Sequence, residues 1–354
     1  MCFIFLAQCN IASVDCEDAD PSCSKEGLIG YIITVLTRTR LPDTGLTQCY
    51  DSSGSTIACG DTSFPGQDGD YNGIPGPRSF TLQSSQLSVL EETSELYWQR
   101  CPRNATNDCT GSAINDTQTN QQTYCQGLVL DGLSWRLPEI RELIFLADYG
   151  KNTPAFDAAL FPQTGAGPDI WSSTTFAFNG TDAWELFTSN GRIGQAAPGG
   201  FNYMAQCVSG SPLSPQWTMD PTNGVAFDQT SLLMATRCGL SASAPDDDGA
   251  GGCLSSGTVQ TWQQALQVCD SLIYAGHSDW RLPNLHELVM IMNFQNANPA
   301  VDSVVFPATH FSGSRYWSST TDVSNALSAL AIDFSDSTIY STGKTGNHYV
   351  RCVR

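Results

Sequence analysis

Lysine is almost missing from this sequence: three stand among 354 residues, and all basic residues together number 16 against 35 acids, for a net charge of −19. That shortage excludes partners held mainly by counterion release, nucleic acid above all. Anionic membranes and sulfated polysaccharides are disfavoured for the same reason. Arg100, Arg103, Arg136 and Arg141 lie close in the chain, but spacing alone does not make them a patch. Charged residues make up 14 %, against about 25 % in typical soluble domains. Ser, Thr, Asn, Gln and Gly take their place, and a surface that is polar yet weakly charged suits an extracellular protein. No run approaches the ~18 apolar residues a membrane-spanning helix needs, so a membrane could hold the chain only through a lipid anchor.

Catalytic signatures are scarce too. The four histidines, His277, His286, His310 and His348, stand in no H-E-x-x-H or similar ligand spacing and read as scattered surface residues. There is no G-x-S-x-G elbow. Gly343-Lys344-Thr345 resembles the end of a phosphate-binding loop, but the leading glycine would fall on Thr338. No catalytic role and no cofactor are expected.

What the chain does have is a duplication. Ser134-Trp135-Arg136-Leu137-Pro138 returns as Asp279-Trp280-Arg281-Leu282-Pro283, and Trp171-Ser172-Ser173-Thr174-Thr175 returns as Trp317-Ser318-Ser319-Thr320-Thr321. A shared offset across separate motifs marks a repeated unit of domain size. Phe80-Thr81 matches Trp217-Thr218, Arg100-Cys101 matches Arg237-Cys238, Phe161-Pro162 matches Phe306-Pro307, and Asn202 to Cys207 matches Asn347 to Cys352. The copies therefore run over 80–216 and 217–354, after an N-terminal segment (1–40) and a leader (41–79). Residues Pro245 to Gly249 read as a loop insertion in the second copy. Two halves of this size can each bury a core.

Cysteines repeat with the motifs. Cys101, Cys109, Cys125 and Cys207 match Cys238, Cys253, Cys269 and Cys352, and none of the eight forms the close pair usual in zinc sites. Disulfides in an oxidising compartment are the consequence, with Cys101–Cys109, Cys125–Cys207, Cys238–Cys253 and Cys269–Cys352 as the expected pairs. Cys49 and Cys59 flank the turn cluster Asp51-Ser52-Ser53-Gly54 and would bridge a hairpin. The sequence leaves the pairing of Cys2, Cys9, Cys16 and Cys23 open.

The N-terminal segment sends several signals. Met1 to Ala7 is apolar, and Leu6-Ala7-Gln8-Cys9 resembles a lipobox ending in an acylatable Cys9. Lipoprotein export and plain secretion both place the protein outside the cytoplasm. Gly27 to Arg40 reads as a short helix whose stripe of Leu28, Ile29, Ile32, Ile33 and Leu36 either docks on the first copy or mediates self-association. Leu41-Pro42-Asp43-Thr44-Gly45 spells a sortase motif, but the hydrophobic segment and basic tail that must come after it are missing. Asp68, Asp70 and Asn72 match the first half of a calcium loop, while Ser79 stands where the closing bidentate acid belongs.

Within each copy the pattern is α+β. Thr261-Trp262-Gln263-Gln264 is a capping box opening a helix that carries Trp262, Ala265, Leu266 and Cys269 on one side. A second helix starts with Pro283 in its first turn and buries Leu285, Leu288, Val289 and Met292; the first copy has Ile140, Leu143, Ile144 and Ala147. Tyr316 to Thr320, Ala329 to Phe334 and Tyr349 to Val353 read as strands of a small antiparallel sheet. Arg136 with Glu142, and Arg281 with Glu287, recur at one spacing and would form bidentate pairs that pin the strand-to-helix corner.

W-R-L-P-x-x-x-E-L, then F-P, Y-W-S-S-T and the terminal Val350-Arg351-Cys352-Val353-Arg354 resemble the DUF1566 or Lcl C-terminal domain family. The leader's Asp43-Thr44-Gly45, Cys49-Tyr50-Asp51 and Gly66-Gln67-Asp68 is similar to sequence that precedes this domain. A helix with W-x-x-A-x-x-x-C bridged to a C-terminal strand cysteine also resembles the C-type-lectin-like fold. The calcium motifs of sugar-binding lectins, E-P-N or Q-P-D with W-N-D, do not occur. The resemblance therefore implies two tandem, disulfide-bridged C-type-lectin-like domains, each a small antiparallel sheet with two helices. It implies a non-enzymatic binding or adhesion module on, or secreted from, a bacterial cell, with a glycan or protein ligand and, in the lipoprotein case, outer-membrane association. The alternative is a structural subunit of a surface oligomer or extracellular filament assembled through residues 1–40. The second copy keeps Trp262, Ala265 and Arg351 where the first has Gln118, Gln121 and Gln206, which favours the second as the binding copy.

Overall fold

A computed structural model describes residues 38–106, 108–162, 169–241, 243–310, 312–313 and 315–354. Met1–Arg38 and Thr39–Arg354 are separate units, and every element of secondary structure named here belongs to the second. Cys9 and the other cysteines of the N-terminal segment lie outside the described residues. So does the helix expected from Gly27, except for Arg38 to Arg40, which are not helical.

The leader carries a small hairpin in which β1 (Cys49–Tyr50) pairs with β2 (Thr56–Ile57), and Asp68–Tyr71 forms a 3-10 turn. The first copy begins with the meander β3 (Phe80–Leu82), β4 (Ser88–Glu91) and β5 (Leu96–Gln99), whose last strand pairs with the returning β9 (Val208–Ser209). Helices α1 (Gln118–Gly127) and α2 (Ile140–Leu146) come next, then a second meander, β6 (Ile170–Thr175), β7 (Ala183–Leu186) and β8 (Ile193–Ala196). The second copy repeats this order with β10 (Trp217–Asp220), β11 (Val225–Asp228), β12 (Met234–Thr236), α3 (Trp262–Asp270), α4 (Leu285–Ile291), β13 (Tyr316–Thr321), β14 (Ser328–Asp333) and β15 (Thr338–Gly343). Each copy thus divides its strands between two sheets, because the helix pair interrupts the chain and each meander closes on itself through short turns. The C-terminal segment makes single bridges from Val353 to Ala235 and Arg281, where the sequence suggested a continuous strand.

Helix starts are set by side-chain caps. Thr261 Oγ1 accepts the Gln264 N–H at the head of α3, and Asn284 Oδ1 accepts the Glu287 N–H (2.9 Å) at the head of α4. Pro283 therefore sits outside α4 rather than in its first turn. Every residue of α2 and α4 is buried, so neither helix shows the one-sided stripe read from its sequence. The physical reason is that α2 and α4 pack on each other as well as on their own sheets.

This contact changes the expectation of two separate cores. One large cluster takes Ile140, Leu143 and Trp184 from the first copy together with Leu288, Val289 and Tyr316 from the second. Each copy keeps only a satellite cluster of its own around the long disulfide, with Trp135 and Trp171 near Cys125–Cys207, and Trp262, Trp280 and Trp317 near Cys269–Cys352. Among the described residues, five disulfides join Cys49 to Cys59, Cys101 to Cys109, Cys125 to Cys207, Cys238 to Cys253 and Cys269 to Cys352.

Candidate binding cleft between the copies

Each W-R-L-P motif builds a rigid corner. The Trp135 and Trp280 indoles donate to the carbonyls of Leu130 and Tyr274, fixing the turn before the motif. Arg281 then grips Glu287 with both terminal nitrogens, and Glu287 also accepts the Asn284 N–H (2.9 Å). Arg136 and Glu142 repeat the fork at 2.7 and 2.5 Å, with the Glu139 N–H on the same carboxylate. A glutamate that closes the helix cap and neutralises an arginine in one place cannot face a ligand, so these pairs serve the fold. Arg281 is the more deeply buried of the two arginines and lies 5.0 Å from the Tyr71 ring of the leader.

The corners aim α2 and α4 at each other, and the result is an approximate two-fold relation inside one chain. Arg141 of α2 donates to the Met292 carbonyl beyond the end of α4 (2.6 Å), while His286 of α4 places Nε2 3.1 Å from the Ile144 carbonyl of α2. Arg141 stacks on Phe294 and His286 stands edge-on to Tyr149. After each helix the same backbone bond recurs, Asp148 N–H to Ala155 O and Asn293 N–H to Ala300 O. His286 is thus no surface histidine; it is fully buried, and desolvation pushes its pKa down to about 3. Residues 141 and 286 occupy equivalent positions in the two copies, but an arginine matched to a histidine gives no sign in sequence of a shared contact.

The two sides of this relation differ in what covers them. On one side the leader packs in. Pro42 O lies 2.8 Å from His286 Nδ1, Thr44 O accepts the Tyr149 N–H (2.8 Å), and Asp68 Oδ2 accepts from Thr44 and Thr320 hydroxyls (2.7 and 2.6 Å). Arg78 donates to the Phe145 and Leu146 carbonyls at the end of α2. A Cβ at Gly45, whose φ is +88°, would meet the Asp148 carboxylate at 2.5 Å, so the turn after Thr44 requires glycine. The sortase-like string is therefore a buried wedge between the copies.

The leader's other candidate residues do not converge. Asp68 is buried, with desolvation and then the Asp43 charge raising its pKa to about 8, and Asp43 itself is raised to about 6 by burial. Asp70 instead accepts the N–H groups of Gly60 and Gln67, and Asn72 is exposed. The D-x-D-x-N-G run folds as a 3-10 turn whose carboxylates turn to different partners, Asp68 to the Thr44 and Thr320 hydroxyls and Asp70 to the Gly60 and Gln67 N–H groups, rather than to one common point. Asp70 does approach the sulfurs of Cys49 and Cys59, but these are bonded to each other and are not thiolate ligands. Lys344 is buried too: its ammonium lies 4.1 Å from the Trp262 ring and donates to Asp51 O (3.1 Å), tying the leader hairpin to the second copy.

On the opposite side lies a cleft of about 480 Å³. Its walls come from the start of α2 (Glu139 to Arg141), Thr174, the connection Ser214–Trp217, the end of α4 through Gln295, and Asp302, Val305 and Phe306. Arg141 is 7 % exposed. The Met292 carbonyl is its one hydrogen-bond acceptor among the described residues, and its buried Nε has none. Burial draws its pKa down to about 10, with Glu139 the leading charge opposing the shift. Glu139 in turn is raised by burial. Trp217 donates its indole N–H to Met290 O (3.1 Å) and packs edge-on against Phe306, giving the cleft an aromatic wall. Of the four clustered arginines only Arg141 reaches it; Arg100 holds the Ala159 and Leu160 carbonyls, Arg103 pairs with Asp116, and Arg136 with Glu142. Sequence singled out Arg141 merely as one of four, because its placement depends on the helix-to-helix contact.

Two of the three substitutions noted between the copies preserve a bond. Trp262 donates to Ser318 O and Gln118 Nε2 to Ser172 O, at equivalent places. Arg351 donates to Thr236 O where Gln206 donates to Gln99 O. At these two positions the contact is kept, whereas Gln121, matched to Ala265, donates to the Ile114 and Tyr203 carbonyls, bonds that an alanine cannot make.

The molecule is thus a disulfide-bridged protein of small antiparallel sheets and few helices, duplicated and fused through a shared core. A family model described as the Lcl C-terminal domain matches residues 88–209 and 224–354, and the chain belongs to that family in two tandem copies. No curated protein matches the chain. Its several disulfides point to an oxidising, extracellular-type environment, and no helix among the described residues is long and apolar enough to cross a membrane.

Proposed function

We propose that this is a non-enzymatic binding or adhesion module, exported to or displayed on a bacterial surface, and that its ligand site is the cleft between the copies. The observation that carries the reading is Arg141: a buried guanidinium beside an aromatic wall, with a single protein acceptor, is costly to fold and is stabilised when a ligand supplies the missing acceptors. A cleft with an aromatic wall and a few convergent polar groups is the usual form of a recognition site. A C-type-lectin-like description of each copy fits a scaffold for ligand display, without those lectins' calcium chemistry. Strong net negative charge makes a polyanionic ligand unfavourable, leaving neutral glycans and proteins as the ligand classes.

The test uses the full chain and a variant, Gln295→Trp, that places a bulky ring on an exposed rim position of the cleft without touching the buried helices. Both are screened for binding to a glycan array and to a panel of extracellular proteins. Ligands lost in the variant support the cleft as the site. Ligands bound equally by both place the site elsewhere and overturn the reading.

A further inference from the structure

The chain itself shows what the cleft is shaped to hold. Under the two-fold relation, the cleft wall formed by Glu139 to Arg141, Thr174 and Met290 to Phe294 corresponds to Asn284 to His286, Thr320 and Phe145 to Tyr149. That second wall is covered by the protein's own extended leader, which meets it with three main-chain carbonyls and one carboxylate. Pro42 O faces His286 Nδ1 (2.8 Å), Thr44 O takes the Tyr149 N–H (2.8 Å), Ile74 O takes an Asn284 amide hydrogen (3.4 Å), and Asp68 takes the Thr320 hydroxyl (2.6 Å).

The cleft repeats three of these four donor positions. Arg141 stands for His286. The Phe294 N–H stands for that of Tyr149, and has no acceptor among the described residues. Thr174 stands for Thr320: each accepts the first N–H of its helix, from Ile140 (3.0 Å) and Leu285 (2.9 Å), so its hydroxyl hydrogen remains to be donated, as that of Thr320 is to Asp68. The fourth position is reversed, since Glu139 offers an acceptor where Asn284 offers a donor.

We infer that the cleft binds an extended peptide segment of another protein, with a main-chain carbonyl on the Phe294 N–H, a carboxylate side chain at Thr174 and Arg141, and an N–H or ammonium donor at Glu139. This rests on the reading of the cleft as the ligand site and narrows its ligand from glycan or protein to peptide. The reversal at Glu139 distinguishes the two sites: a peptide suited to the cleft pairs an acidic residue with a nearby donor, whereas the leader brings carbonyls and acids alone.

The experiment selects a random nonapeptide display library against the full chain, with Gln295→Trp as counter-target, and probes a glycan array with the same two proteins. Enriched peptides are then synthesised and titrated, following the change in the protein's tryptophan fluorescence. The expected result is enrichment of peptides containing Asp or Glu whose affinity falls at least tenfold with Gln295→Trp and with Arg141→Gln. It falls similarly when the peptide's acid is changed to its amide. Far-ultraviolet circular dichroism and urea unfolding check that both variants fold; should Arg141→Gln not, the rim variant and the amide peptide carry the test. No peptide enriched over the counter-target overturns the inference. Glycans bound by the full chain and lost in Gln295→Trp would leave the cleft as the binding site while removing the peptide. If neither peptides nor glycans depend on the cleft, both proposals fall.

Discussion

Replacing Asp68 by Asn should remove a loss of stability with rising pH at the leader wedge. Asp68 is 2 % exposed, its Oδ2 accepts two hydroxyls, and its Oδ1 has no partner among the described residues. Burial first, and the neighbouring Asp43 charge second, raise its pKa from 3.8 to about 8. Between those values the folded protein holds a proton that the unfolded chain has lost. Stability from this group is therefore fully present below pH ~4 and is lost as pH rises towards 8, at about 1.4 kcal/mol per pH unit. From pH 5 to pH 8 the loss amounts to about 4 kcal/mol, a large share of the 5–15 kcal/mol that holds a typical domain together. Asn cannot ionise, so the difference in stability between the two proteins reports the titration of Asp68 together with its coupled neighbour Asp43, while the His286 contribution cancels in the subtraction. Urea unfolding with disulfides intact, at pH 5, 6.5 and 8, gives the three differences. Asp68→Asn should be less stable than, or equal to, the parent at pH 5 and clearly more stable at pH 8. A difference that stays constant across this range would refute the claim that Asp68 is buried as a neutral acid, and with it the placement of the wedge.

Five other perturbations have definite expected outcomes. His286→Gln should flatten the acid side of the stability curve: the native pKa of about 3 lies below the ordinary 6.5, so the parent loses stability as pH falls below 6.5, by about 2 kcal/mol at pH 5, and the variant does not. Glu287→Gln strands the buried Arg281 and should cost about 3–5 kcal/mol by urea unfolding. Glu142→Gln should cost less, because Arg136 is 29 % exposed and can reach water. Removing Cys269–Cys352, which closes 83 residues, should cost about 4–5 kcal/mol, against about 2–3 for Cys101–Cys109, which closes 8; equal losses in thermal unfolding would contradict a loop-entropy origin.

The duplication, the cysteine pairs and the Arg–Glu corners were legible in sequence because each is a local pattern written twice. Bridges drawn from matched cysteines need only the repeat, and the Arg281–Glu287 fork needs only the spacing that puts a helix's first turn beside the strand before it. Membership in the Lcl C-terminal domain family rests on those same motifs. The two-sheet layout of each copy was less legible, since short hairpins pair locally and periodicity does not say which meanders join.

Contacts between equivalent helices leave no such mark. An apolar stripe on α2 and α4 says that one face is covered, and both turned out to be covered on all sides, because each is the other's partner. For the same reason His286 read as a surface residue and Arg141 as one of four similar cations. Leu41 to Gly45 read as a sortase motif without the segment that must follow it, and Asp68 as half a metal loop. Sequence by itself determined that there are two copies, what braces each and which compartment suits them. Tertiary structure alone decided that the copies share one core, that the leader fills one side of their junction and that a cleft with a buried arginine remains on the other, since those depend on surfaces meeting across more than a hundred residues of chain.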